Sequence, residues 1–171
     1  MPVLDILVYP DPALKRKSLP VTKFNEDMVS LLDDMAQTMR DADGVGLAAP
    51  QVGKNIRVIL IDVPLPEEDK REFYELINPE IVSSRGFQIG EEGCLSVPGF
   101  FANIRRKEHI RVSALDRRGK RFTIDADGML SRVLQHEIDH LDGILFFDRL
   151  RKLKRDLLVK QINERFVSAR G

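Results

Sequence analysis

An α+β fold is what the sequence predicts, on two observations. Helical periodicity comes first, strand-like stretches fill the middle, and helical periodicity returns at the end, so helices and strands do not alternate as βαβ units would. The clearest turn signal, Asp116-Arg117-Arg118-Gly119-Lys120, joins two consecutive strand-like stretches as a hairpin. The 171 residues suit a single domain spanning 1–171, since domains run to roughly 100–200 residues.

Taken in order, residues 8–25 carry Pro10, Pro12 and Pro20, which remove backbone donors and bias their predecessors to extended conformations, so this stretch is expected to be irregular. Asn25 is placed as an N-cap, with Glu26 and Asp27 near the positive end of the first helix. Met28, Leu31, Leu32, Met35 and Met39 follow at helical spacing, and Asp43-Gly44 ends the run. Ile56 to Val63, Phe73 to Ile77, Ile104 to Leu115 and Arg121 to Ala126 read as strands. A second helix is expected from about Asp127 to Leu141, with Gly143 as its stop. A third, amphipathic and C-terminal, is expected from about Leu150 to Ala169, with Leu150, Leu153, Leu157, Ile162 and Phe166 as its apolar stripe.

Apolar residues at 43% and charged residues at 32% exclude a disordered or collagen-like chain. Lys plus Arg and Asp plus Glu each number 27, so the net charge is zero and a wholly basic nucleic-acid binder is excluded. The charge is uneven, however. Residues 149–171 hold eight Lys/Arg against Asp156 and Glu164, a local +6 balanced by −6 in the first 148 residues. A solvated basic helix face is the bland reading of that segment. The single cysteine fits a reducing compartment, and the protein is expected to be cytoplasmic. Asp5 interrupts the N-terminal apolar residues with no basic region before it, unlike a signal peptide. Apolar stretches such as Val58 to Ile61 fall far below the ~18–20 residues of a membrane span. Oligomeric state is left open, with a monomer as the working expectation.

The strongest local signal is Gln135-His136-Glu137-Ile138-Asp139-His140, which contains H-E-x-x-H within the second expected helix. Residues at i and i+4 lie about 40° apart around a helix and one turn along it, so both imidazoles can reach one metal ion. Glu137, between them in angle, can stand beside a metal-activated water and take its proton. Met129, Val133, His136, Glu137 and His140 share one helix stripe; Ser131, Arg132, Gln135 and Asp139 take the opposite side. The alternative is a pair of hydrogen-bonded histidines at this spacing by chance. A hydrolytic zinc-type site needs a third protein ligand. No histidine follows His140, and His109 lies in a charged strand that reads as solvent-facing. Cys94 remains open to three readings: buried filler, nucleophile or metal ligand.

Three segments together resemble the signature motifs of peptide deformylases of the bacterial type I form: Gly44-Val45-Gly46-Leu47-Ala48-Ala49-Pro50-Gln51, Glu92-Gly93-Cys94-Leu95-Ser96 and Gln135-His136-Glu137-Ile138-Asp139-His140-Leu141-Asp142-Gly143. The resemblance implies antiparallel strands packed around a central metal-bearing helix, and one catalytic domain that removes the formyl group from the N-terminal formyl-methionine of nascent polypeptides. It implies Cys94, His136 and His140 as metal ligands, Glu137 as general acid/base, and the Gln51 amide and Leu95 backbone N–H as oxyanion donors. Gly46 resembles the position whose backbone pairs with substrate. Fe2+ is the metal the resemblance favours, and Zn2+, Ni2+ or Co2+ suit the same ligands. It also implies a ribosome contact through the basic C-terminal helix. Val45, Met129 and Val133 are the expected lining for the methionine side chain. Arg132 is expected to pack its stem at the pocket rim with its guanidinium in solvent, or to be a plain surface arginine. Glu92 and Arg106 are read as a brace for the cysteine loop or as two exposed charges. The competing classes are a zinc endopeptidase, disfavoured by the missing third histidine, and a non-catalytic module with a structural metal, which would need four closed ligands.

Overall fold

The computed structural model describes residues 2–67 and 69–170, side chains of 167–170 excepted. Met1 and Gly171, the ends of the expected domain, lie outside them. The N-terminal segment is irregular apart from a 3-10 turn at Pro12–Lys15, as its prolines dictate. Helix α1 spans Glu26–Asp41, and the Asn25 side chain accepts from the Met28 backbone N–H at 3.2 Å, which makes it the expected cap. Met28, Leu32, Met35 and Met39 are buried from α1 against Leu47, Val58 and Leu60.

Among the described residues the strands form one antiparallel sheet in sequence order: β1 Gly46–Ala48, β2 Val58–Pro64, β3 Arg71–Cys94, β4 Val97–Leu115 and β5 Arg121–Asp127. β1 lies at an edge, pairing Gly46 with Ile61 and Ala48 with Ile59. The Asp116–Lys120 turn joins β4 to β5 as expected, closed by the Asp116 N–H to the Lys120 carbonyl at 2.9 Å.

β3 runs 24 residues, far beyond the expected Phe73–Ile77. Beyond Ile77 it is mostly polar and broken by Pro79, Gly86 and Gly90, so it has no sustained apolar alternation to read. Pairing with β4 carries it through, with register irregularities between Ile77 and Glu80, Ile81 and Ser83, and Glu92 and Cys94. Cys94 pairs with Val97, so Cys94 stands at the tip of the hairpin with Leu95 and Ser96 in the turn.

Helix α2 spans Gly128–Leu141 and packs against β1, β2, β4 and β5. Val133, Leu134, Ile138 and Leu141 bury their side chains against Ile59, Ile61, Val112 and Ile124. Gly143 follows it at φ +73°, and a Cβ there would meet the Lys15 carbonyl oxygen at 2.5 Å, so the chain can turn away only at glycine.

The side of α2 opposite the histidine stripe is covered as well: Ser131, Arg132, Gln135 and Asp139 are all buried, against the solvent-facing placement expected of Arg132. The β3–β4 hairpin covers that face: the Gln135 Oε1 accepts from the Lys107 backbone N–H at 2.9 Å, and Ser131 Oγ donates to the Lys107 carbonyl at 2.9 Å. Each of these four side chains has a partner, which is what permits such burial.

Helix α3 spans Lys152–Arg170. Its packed face is Leu158, Val159 and Ile162, set against Val97, Ile104, Phe146 and Phe147. Leu153 and Leu157, expected in the apolar stripe, are 84% and 59% exposed. No helix among the described residues is long and apolar enough to cross a membrane.

Candidate active site

The hairpin tip and α2 meet over β1. Cys94, His136 and His140 place their ligand atoms within 4.8 Å of one another. The Cys94 Sγ lies 3.4 Å from the His140 Nε2. Both histidines are buried, and Phe146 stacks on the His136 ring at 6.2 Å between centroids. His109 stands apart, paired with Asp127 near the hairpin surface, as its solvent-facing pattern suggested.

Glu92 fixes His136. Its Oε1 accepts from His136 Nδ1 at 2.9 Å, which leaves Nε2 as the free ring nitrogen. Arg106 donates to both Glu92 oxygens at 2.9 Å and to Asp139 at 2.6 Å, and Asp139 is held in turn by Arg149. The brace reading of Glu92 and Arg106 therefore holds, and the pair is buried rather than exposed. Burial pushes the Glu92 carboxyl up, but the Arg106 and His136 hydrogen bonds outweigh it and hold it down at about 2.

Glu137 has the opposite environment. Burial pushes its carboxyl up to about 7 despite the opposing charge of His136. Its Oε1 is buried with no hydrogen-bond partner among the described residues. Burial pushes the His140 imidazole well below its ordinary value. Burial works the same way on His136, but the Cys94 sulfur and the Glu92 carboxylate hold it up at about 10. A half-buried thiol, two buried imidazoles and two buried carboxylates in one cluster make a place that favours a cation. This soft and borderline donor set fits a divalent transition metal, with Glu137 beside it rather than on it.

Gln51 is 2% exposed and is anchored by its Oε1, which accepts from the Ala48 N–H at 2.9 Å. That leaves its Nε2 to face the site, 3.1 Å from Ser96 Oγ and 3.7 Å from Cys94 Sγ. Gly46 lies directly under Glu137: a Cβ at 46 would stand 2.6 Å from Glu137 Oε2 and 2.9 Å from its Cγ. Gly46→Ala is therefore expected to displace the carboxylate. Since a shift near 1 Å can cost about 100-fold in rate, kcat should fall by roughly that factor while the melting temperature changes little. Steady-state kinetics beside thermal unfolding checks this.

A cleft of about 710 Å³ opens over these groups. Val45, Gly46, Gln51, Cys94, Leu95, Met129, Val133, His136 and Glu137, all singled out from sequence, line it. Ser96, which meets the Gln51 amide, Phe146, which stacks on His136, and the exposed Phe101 at the cleft were not anticipated. Ser96 lay within a quoted motif; neither phenylalanine carried a sequence signal beyond its apolar type. Arg132 also lines the cleft, but its guanidinium is turned inward, contrary to the solvent-facing placement expected of it. It bonds Gln88, Gly90, Glu92 and Ile104 because the overlying hairpin offers acceptors there that solvent would otherwise supply.

Comparison with known proteins agrees with this geometry. The family model described as polypeptide deformylase matches residues 3–156. A peptide deformylase of Thermodesulfovibrio yellowstonii is 50% identical over 161 residues, 94% of this chain and 97% of that protein. The crystal structure of a peptide deformylase from Legionella pneumophila is similar with a TM-score of 0.87 and 46% identity, covering 99% of each chain. That of a peptide deformylase from Ehrlichia chaffeensis in complex with actinonin gives a TM-score of 0.89 at 41% identity, over 96% of this chain and 98% of that one. With the family model covering most of its length and relatives this close, the chain belongs to the polypeptide deformylases, a family of metal-dependent hydrolases.

Proposed function

We propose that this chain removes the formyl group from the N-terminal formyl-methionine of nascent polypeptides, releasing formate, and that 1–171 acts as one catalytic domain. The single observation that carries the reading is the Cys94–His136–His140 cluster, its histidines buried and its cysteine half-buried, with Glu137 beside it and Gln51 facing it. Cys94 Sγ, His136 and His140 would hold one divalent metal. When bound, that metal supplies Lewis-acid polarisation and lowers the pKa of water toward neutrality. Ferrous iron is the proposed ion, with Zn2+, Ni2+ and Co2+ suited to the same donors.

The protein groups then divide the work. Glu137, its carboxyl pushed up to about 7 by burial, is poised to accept a proton from the attacking water near neutral pH. As the water oxygen bonds to the formyl carbon, negative charge builds on the formyl oxygen, and the Gln51 amide and the Leu95 backbone N–H donate to it. Glu137 next returns the proton to the departing amine nitrogen as the C–N bond breaks. The products are formate and a free N-terminus. Gly46, on the edge strand β1, is placed for its backbone to pair with an extended substrate. Val45, Met129 and Val133 receive the methionine side chain. The cytoplasm is the proposed compartment, in keeping with an unpaired Cys94. The basic residues of α3 are proposed to meet ribosomal RNA, a contact that added salt should weaken.

Formate release from a short formyl-methionyl peptide, measured anaerobically with metal content determined in the same sample, tests the reading. Cleavage of internal peptide bonds without formate would reject it in favour of an endopeptidase. Within the site, Gln51→Ala is expected to lower kcat by about 100- to 1,000-fold, the usual effect of losing one oxyanion donor, with metal content unchanged. Parallel kinetics and metal analysis check it.

A further inference from the structure

We propose that Arg132 is a positioning residue for His136, acting through Glu92. The proposal rests on the reading of His136 as a metal ligand. Arg132 and His136 are one helical turn apart on α2, and both reach the same carboxylate on β3. Arg132 Nη1 donates to Glu92 Oε2 at 2.6 Å; His136 Nδ1 meets Oε1 at 2.9 Å. Arg106 from β4 donates to both oxygens at 2.9 Å. The four acceptor positions of a carboxylate are thus filled, three by guanidinium N–H groups and one by the imidazole.

Arg106 alone leaves Glu92 a fork about which the carboxylate can pivot. Arg132 closes that freedom from the other side. It is itself tied to three further acceptors: the Ile104 carbonyl at 2.9 Å, the Gly90 carbonyl at 3.2 Å and the Gln88 Oε1 at 3.1 Å. Those acceptors sit on two strands, so the planar guanidinium stitches α2, β3 and β4 together at the carboxylate that orients His136. A lysine offers one point charge and could not span them. Gly90 completes the seat: a Cβ there would lie 3.1 Å from the guanidinium Cζ and press on the group. Arg132 is 9% exposed, and its charge is spent on these partners rather than offered to the cleft. Arg132 also lines the cleft, so a wall role and a positioning role must be told apart experimentally.

The test compares Arg132→Met, which keeps the stem and removes the cation, with Arg132→Lys and Gly90→Ala. Zn2+ affinity of the metal-free proteins is measured by competition with a chromophoric chelator. The His136 Nδ1–H resonance is followed by NMR, and kcat and KM are measured on the reloaded enzymes. Arg132→Met is expected to weaken Zn2+ binding about 10- to 100-fold, the usual effect of losing an outer-shell partner. It should also broaden or abolish the slowly exchanging His136 Nδ1–H signal and lower kcat with KM within about twofold. Arg132→Lys should restore part of the affinity, and Gly90→Ala should show a smaller loss in the same direction. If Arg132→Met does not fold, the latter two carry the test. Wild-type Zn2+ affinity, an unchanged His136 signal and a change confined to KM would overturn the proposal and leave Arg132 as a wall. A wild-type protein that binds no Zn2+ and releases no formate would instead overturn the deformylase reading, and this is seen before any variant is made.

Discussion

Replacing Glu137 with Ala is expected to abolish measurable turnover, a loss of at least about 100- to 10,000-fold, while one equivalent of metal stays bound. The two outcomes separate because the donors that converge are Cys94, His136 and His140, and Glu137 Oε2 stands 4.0 Å from His136 Nε2. A second consequence concerns stability. The carboxyl is buried, its Oε1 has no partner among the described residues, and its folded-state pKa is raised to about 7. The sign follows directly. An acid whose pKa is raised on folding destabilises the folded state wherever the unfolded chain would ionise, that is, above its ordinary value of 4.5. Metal-free Glu137→Ala should therefore melt no lower than the metal-free parent at pH 8, the trade of stability for activity seen where a group is held in an unfavourable environment. Metal analysis, formate assay and thermal unfolding on the same preparations check it. Near-normal turnover, or a melting point several degrees lower, would count against the assigned role.

The same contrast explains what was legible in the sequence. Groups whose function depends on periodicity or on contiguous motifs were readable: the His136/Glu137/His140 stripe follows from the helix repeat, and the N-cap Asn25 from local hydrogen bonding. Cys94 was not decided by its surroundings in sequence, because what makes it a candidate ligand is the hairpin turn at Leu95 and Ser96 that delivers it to α2. Gly46 drew notice only through the motif it belongs to. Its meaning comes from the Glu137 carboxyl above it, some ninety positions away. The misplacement of the Arg132 guanidinium, on the polar side of α2, has the same origin. Ser131, Arg132, Gln135 and Asp139 share a polar side whose cover is not readable until the β3–β4 hairpin brings the Lys107 backbone, Arg106 and Glu92 against them. A helix wheel records which residues share a side, not which side is covered.

Glu92→Ala is expected to be the most destabilising single change at the site. Removing one member of a buried ionic cluster typically costs about 3–5 kcal/mol, because the remaining charges are left uncompensated. Two guanidiniums depend on Glu92, and its side chain is 4% exposed, so solvent cannot take its place. The lower end of that range applies here: Arg106 keeps Asp139 at 2.6 Å, and Arg132 keeps the Gly90 and Ile104 carbonyls. For a chain of this size a loss near 3 kcal/mol lowers the melting temperature by roughly 6–12 °C. The pH dependence has a definite sign. The Glu92 carboxyl is held at about 2 when folded against an ordinary 4.5, so its contribution is fully present above pH 4.5 and is lost as the pH falls from there toward 2. Glu92→Gln should flatten that acid limb, because the titrating group is gone, while keeping part of the hydrogen bonding to Arg106. It should still weaken metal binding, since the amide no longer fixes His136 as a carboxylate does. Urea unfolding of parent and variants between pH 3 and pH 7 reads all of this. An acid limb in Glu92→Gln as steep as the parent's would place the acid sensitivity elsewhere, and Arg106 and Arg132 would then be bracing the hairpin rather than the metal ligand.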